Sequence, residues 1–163
     1  MRALLKSCLM LLCLSASVAW AADDADAVLG TWVTADGDAR VQILKHADAY
    51  DGSIVWLKEP EYPAGDPMAG KAKLDLKNPD QSQRSRPVLG LPLIQGFKYA
   101  GDGVWSDGHI YDPKTGKLYS CKMTLMMDGR LKVRGYWGIS LFGETQIWTR
   151  PPMDAPAAAT VAR

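Results

Sequence analysis

Past residue 28, apolar positions come in short runs broken by turn residues, and none recurs with the three-and-four spacing of an amphipathic helix. Eight runs read as strands: Leu29 to Thr34, Ala39 to Lys45, Tyr50 to Lys58, Leu93 to Tyr99, Gly103 to Tyr111, Leu118 to Met127, Arg130 to Trp137 and Thr145 to Arg150. Asp36-Gly37, Asp51-Gly52 and Asp128-Gly129 supply turn signals near their ends. Asp112-Pro113-Lys114-Thr115-Gly116 has proline where a type I turn fixes φ and glycine where the following bulge needs positive φ. From Gly103 onward the pattern therefore predicts a meander of antiparallel strands. Short strands with no helix between them predict an all-β sandwich or a closed barrel, and closure removes exposed edges.

Alternation assigns faces. Tyr119, Cys121, Met123, Leu125 and Met127 share one side of their strand, and Leu131, Val133, Gly135 and Trp137 join it from the next. Lys132, Arg134 and Tyr136 point away. A methionine-bearing inner face suits an adaptable apolar cavity and equally suits an ordinary packed core. Trp105, Asp107, His109 and Tyr111 also fall on one side. If that side lines a cavity, His109 and Tyr111 orient the head group of a ligand; if it faces water, they are solvated surface. The candidate ligand-binding set is Trp56, Trp105, His109, Tyr111, Tyr119, Met123 and Trp137.

Between Lys58 and Pro92 the pattern disappears. Six prolines (Pro60, Pro63, Pro67, Pro79, Pro87 and Pro92) and many charges replace it. A loop of about 30 residues is unusual inside a compact domain and reads either as a segment closing one barrel end or as a functional lid. Gly138 to Gly143 is an apolar hairpin tip that reads as a plug over the barrel end, or as a contact for a membrane or partner.

The first 22 residues read as a signal peptide: Arg2 and Lys6, an apolar run from Ser7 to Val18, then Ala19-Trp20-Ala21. The run is too short for a spanning helix, which needs about 20 apolar residues. Cleavage near Ala21 or Ala22 predicts a periplasmic or secreted protein, with one domain over residues 23–151 and a disordered tail over 152–163. Of 19 basic and 18 acidic residues, Arg2 and Lys6 leave with the leader, so the mature chain is close to neutral. That balance argues against nucleic acid or anionic lipid as partners held by bulk charge, which requires a basic face. Cys8 and Cys13 also leave, so Cys121 has no internal disulfide partner. It reads as a buried small hydrophobe.

Catalytic and metal-binding signals are weak. His46 and His109 are the two histidines, no pair has ligand spacing, and no GxSxG elbow is present. Asp36-Gly37-Asp38 lacks the remaining oxygens of a calcium loop. No metal or cofactor is expected. A distant couple such as His109 with Glu144 is the remaining route to an enzyme.

Gly30-Thr31-Trp32 opens the first strand and Trp148-Thr149-Arg150 closes the last, which resembles the lipocalin plan of a GxW tryptophan covered by an arginine. Gly30, Trp32, Trp148 and Arg150 are then structural closure. A longer series resembles the bacterial exported proteins grouped as domain of unknown function family 2147. It comprises Gly52-Ser53-Ile54-Val55-Trp56-Leu57, Asp75 with Asn78-Pro79, Arg86-Pro87 with Gly90, Tyr111-Asp112-Pro113, Gly116-Lys117, Tyr119-Ser120-Cys121, Leu131 to Tyr136 and Thr145 to Arg150. The resemblance runs from Gly30 to Arg150 and implies a lipocalin-like antiparallel β-barrel of about eight strands that carries or senses a small apolar molecule. Many members of that family have cysteines before the Gly-x-Ile-Val-Trp strand; His46 to Asp51 stands there, so a disulfide at this hairpin is not implied. The leading expectation is a carrier of a small hydrophobic or amphipathic ligand such as an acyl chain. Its alternative is an envelope interaction module with a filled barrel.

Overall fold

Each alternating run forms a strand in the computed structural model, which describes residues 24–138 and 143–152. The strands are β1 (Gly30–Val33), β2 (Ala39–His46), β3 (Ala49–Leu57), β4 (Pro92–Gly101), β5 (Val104–Asp112), β6 (Lys117–Leu125), β7 (Leu131–Tyr136) and β8 (Gly143–Trp148). They pair antiparallel in sequence order in one sheet. The leader, tip residues 139–142 and the tail from residue 153 lie outside the described residues.

The sheet curls until β1 and β8 meet. Val33 and Thr149 exchange backbone hydrogen bonds of 2.8 and 3.1 Å. β1 has only four residues, and the chain turns back at Thr34, whose N–H donates to the Ala39 carbonyl. No described strand pairs with the outer edge of β8 beyond that bridge, so closure is confined to one end.

Registers across β6, β7 and β8 run without interruption, so alternation holds there. Cys121, Met123, Leu131 and Val133 are all buried, as the inner face requires. Met127 corrects that reading: β6 ends at Leu125, and Met127 stands fully exposed in the turn that follows.

Register shifts interrupt the β2–β3, β3–β4, β4–β5 and β5–β6 pairings, and the first and last of these reverse candidate side chains. Between β2 and β3, Arg40 faces Trp56 while Val41 faces Ile54, leaving Val55 as the extra residue. Between β5 and β6, Trp105 faces Met123 and Gly108 faces Cys121, so Ser106 and Asp107 together oppose Lys122. Asp107 takes a left-handed conformation at φ 61°. After this bulge Gly108 turns inward, and the Phe97 ring occupies the space a side chain on Gly108 would need.

One end of the barrel is filled. Trp32, Trp105, Tyr50, Phe97, Ile43, Val41 and Met123 are almost wholly buried there, capped by a 3-10 helix over Asp24–Val28. The carbonyls of that short helix are satisfied from below. Trp32 Nε1 donates to Val28 O (2.8 Å), Trp105 Nε1 to Ala25 O (3.1 Å), and Arg150 Nη2 to Ala27 O (2.8 Å). Buried indole N–H groups need such partners, and the cap supplies them. On the rim of this end, Asp26 accepts from Lys45 Nζ and Tyr50 OH, both at 2.8 Å.

Candidate ligand cavity

The opposite end is hollow, with a cavity of about 820 Å³. Ile54 from β3, Leu93 from β4, Ile110 from β5 and Val133 from β7 form its apolar wall, and Trp148 from β8 borders it. Gly135 keeps the wall thin, since a Cβ there would lie 3.3 Å from Ile110 Cγ2. Leu74 and Val88 from the long loop close one side. Tyr119 and Trp137 stand edge to face at the mouth, ring centroids 6.2 Å apart and planes at 77°.

The mouth is charged and mixed in sign. Lys114 Nζ lies 3.3 Å from Asp36 and 3.6 Å from Asp38, and Lys73 Nζ lies 3.1 Å from Glu59. Burial opposes the charge on Lys114, but the Asp36 hydrogen bond and the two neighbouring carboxylates outweigh it and raise its pKa. Lys58 and Glu144 also line the mouth and form no ion pair among the described residues.

The proline-rich segment is a strap fixed to the barrel. Asp75 is wholly buried, with its carboxylate accepting from Tyr111 OH (2.6 Å), Asn78 Nδ2 (2.7 Å) and Arg86 Nη2 (3.1 Å). The isolated bridges Glu61–Ala72 and Leu74–Pro87 brace the same segment. Gly116, at φ 72°, lets the Lys77 carbonyl pass over the β5–β6 turn where any side chain would collide with it.

The sequence-derived candidates separate into three places. Tyr119 and Trp137 line the cavity; Tyr111 borders it, but its hydroxyl is committed to Asp75. Desolvation, followed by the Asp75 hydrogen bond, pushes the Tyr111 phenol up to about 12. Trp105 and Met123 face inward but belong to the filled end, where Trp105 packs against Tyr50 and Tyr99. Trp56 and His109 lie on the outer face. The β3 bulge turns Trp56 outward beneath Arg40, whose guanidinium carbon is 4.6 Å from the ring centroid. The β5 bulge does the same to His109, which sits exposed in a shallow outer groove with Leu118, Ser120 and Tyr136.

His109 and Glu144 are therefore on opposite sides of the sheet and form no couple. Among the described residues no cluster of three or more His, Cys, Asp or Glu side chains is placed to hold a metal. At the closed end, the Arg150 guanidinium carbon lies 3.8 Å above the Trp32 ring, and Arg150 Nη1 donates to Leu29 O at 2.8 Å. Gly30, at φ 102°, leaves room for it, since a Cβ would come within 3.0 Å of Arg150 Nη1. Leu74 and Val88 were not singled out from sequence, because nothing in an unpatterned loop says which apolar side chains turn inward.

Residues 30–150 match a family described as an uncharacterized protein conserved in bacteria (DUF2147). The chain belongs to that family. No curated protein matches the sequence. Among solved structures, protein HP1028 from the human pathogen Helicobacter pylori, described as belonging to the lipocalin family, is similar with a TM-score of 0.64 and 20% identity. The match covers 77% of this chain and 83% of that one. At this identity the likeness establishes a lipocalin-like fold for this DUF2147 chain.

Proposed function

We propose that this protein is an exported, non-enzymatic carrier that holds one small amphipathic ligand, with an acyl-type tail inside the barrel. The observation carrying this reading is the cavity itself. Its volume of about 820 Å³ falls within the range of small-molecule sites, and its wall is apolar where its mouth is charged. Such a gradient suits a molecule with one apolar and one polar end. A tail gains from leaving water along Ile54, Leu93, Ile110 and Val133, while its head stays hydrated among the lysines and carboxylates. The mixed rim selects neither sign of head group.

The lipocalin-like fold of the similar H. pylori protein supports a binding role, as does the separation of His109 from Glu144. Export rests on the leader pattern of residues 1–22. A barrel filled from end to end would serve the rival role of an interaction module, and the hollow half favours the carrier.

The test is a titration of tryptophan emission with saturated fatty acids and neutral monoacylglycerols of increasing chain length. Trp137 and Trp148 both border the cavity, so a saturable change that strengthens with chain length and then levels off is expected. No change with any chain, or a response that grows without saturation, contradicts the carrier reading.

A further inference from the structure

We infer that the outer face of β6, β7 and β8 docks the protein on an anionic phospholipid bilayer. Net charge hides this surface, because the near-neutral total says nothing of how charge is distributed. Alternation in an uninterrupted register brings Lys122, Arg134 and Thr145 into one cross-strand row, and Thr124, Lys132 and Ile147 into the next. All of these lie on the side away from the cavity.

No acid shares that side of the three strands. Glu144 is the one acidic residue within the three strands, where it pairs with the inward Gly135 and lines the cavity mouth, and Asp128 in the β6–β7 turn is paired with Arg130. The adjoining β5 adds His109 and, at its bulge, the exposed Asp107. Lys122 and Lys132 are exposed and form no ion pair among the described residues. Arg134 donates from Nη1 to Thr145 Oγ1 at 2.8 Å.

The arrangement works against stability. Lys122 and Arg134 are direct cross-strand partners, and like charges placed opposite one another on a sheet repel. An anionic surface relieves that repulsion.

The occupant is identified by what borders the cations. Toward the cavity mouth the same face carries Leu118, 52% exposed, beside Tyr136 in the outer groove, and Trp137, 69% exposed, stands on the rim between that groove and the cavity. Basic side chains beside an exposed tryptophan, tyrosine and leucine match the boundary between phosphate head groups and acyl chains. A soluble polyanion offers nothing for Leu118 or Trp137 to enter. Trp137 lines the cavity as well, so the docking face is continuous with the mouth.

The test is flotation of the purified protein with vesicles of phosphatidylglycerol mixed into phosphatidylcholine, against phosphatidylcholine alone, at low and high salt. Binding to the anionic vesicles, weakened by salt and absent from the neutral ones, is expected. The Lys122→Gln/Lys132→Gln variant keeps the Arg134 hydrogen bond. It is expected to lower the partition coefficient by about tenfold or more while melting no lower than the parent. Trp137→Ala is expected to lower it further, with a blue shift on vesicle addition lost from the emission spectrum. Equal binding to both vesicle types, binding to neither, or parental binding by the double variant overturns the proposal. So does tight binding to a soluble polyanion with none to anionic vesicles.

Discussion

The two ends of this barrel are built from the same strands and do opposite things with them. At the closed end, Trp32, Trp105, Tyr50 and Phe97 fill the interior, and a 3-10 helix covers it with three of its carbonyls bonded. At the open end, the wall is Ile54, Ile110 and Val133, with Gly135 among them, and Tyr119, Trp137 and Trp148 border the space without filling it. An eight-stranded barrel is just wide enough for either outcome, and side-chain size decides. Packed aromatics fill one end; the aliphatic and glycine wall at the other leaves a cavity of about 820 Å³.

The sharpest way to break this division is to cut each half in turn. Trp105→Ala opens the closed end, removes a wholly buried indole and frees the Ala25 carbonyl, so a loss of about 4 kcal/mol is expected in denaturant unfolding. Tyr119→Ala, at the half-buried cavity wall, is expected to cost about 1 kcal/mol at most and to change ligand titrations instead. Equal destabilisation by the two would erase the distinction.

Next in size is the strap. Tyr111→Phe removes the 2.6 Å hydrogen bond to the buried Asp75 carboxylate, and a loss of about 2 kcal/mol is expected, with faster proteolysis between residues 58 and 91. Unchanged cleavage would show that the strap is held by its bridges alone.

Stability against pH should report different parts of the barrel at its two extremes. Asp26 is held below its ordinary 3.8 by the Lys45 hydrogen bond, then by that of Tyr50. A depressed carboxylate contributes stability above its unfolded pKa, and that contribution disappears as pH falls through the lowered value. On the alkaline side, burial pushes Cys121 from 9.0 to about 12, and desolvation with the Asp75 bond pushes Tyr111 from 10.0 to about 12. Raised groups contribute fully below their unfolded values, so stability is expected to decline between about pH 9 and 12. In a thermal melt series, Asp26→Asn flattens the acid limb and Cys121→Val the alkaline limb. Native Cys121 should stay unmodified by thiol reagents at neutral pH.

The smallest effect lies in the β2–β3 turn. Ala47 sits at φ 55°, which favours glycine, so Ala47→Gly should stabilise by about 0.5 kcal/mol in the same unfolding assay.

Strand number and the meander from β5 onward were legible from the turn signals, and the inner faces of β6 and β7 because no bulge interrupts their registers. Trp56 and His109 were misplaced for one reason. Val55 and the Ser106-Asp107 pair each insert an extra residue, and a shift of one reverses every side chain beyond it. Asp107 gave no warning, since a non-glycine at positive φ leaves no mark in a sequence. The acidic lead before Gly30 concealed the cap because a 3-10 turn has no extended periodicity. Asp75, Asn78 and Arg86 stood out only through resemblance, and their shared hydrogen bonds depend on folding an unpatterned loop.

The central claim is that the open half holds a ligand, and native mass spectrometry of the protein purified from bacterial cells, followed by denaturing extraction, tests it most directly. The account predicts one added mass of lipid or small-metabolite size, released on denaturation and lost from a Val133→Trp variant that fills the cavity. A bare mass for the parent protein, persisting after incubation with an envelope lipid extract, would contradict it.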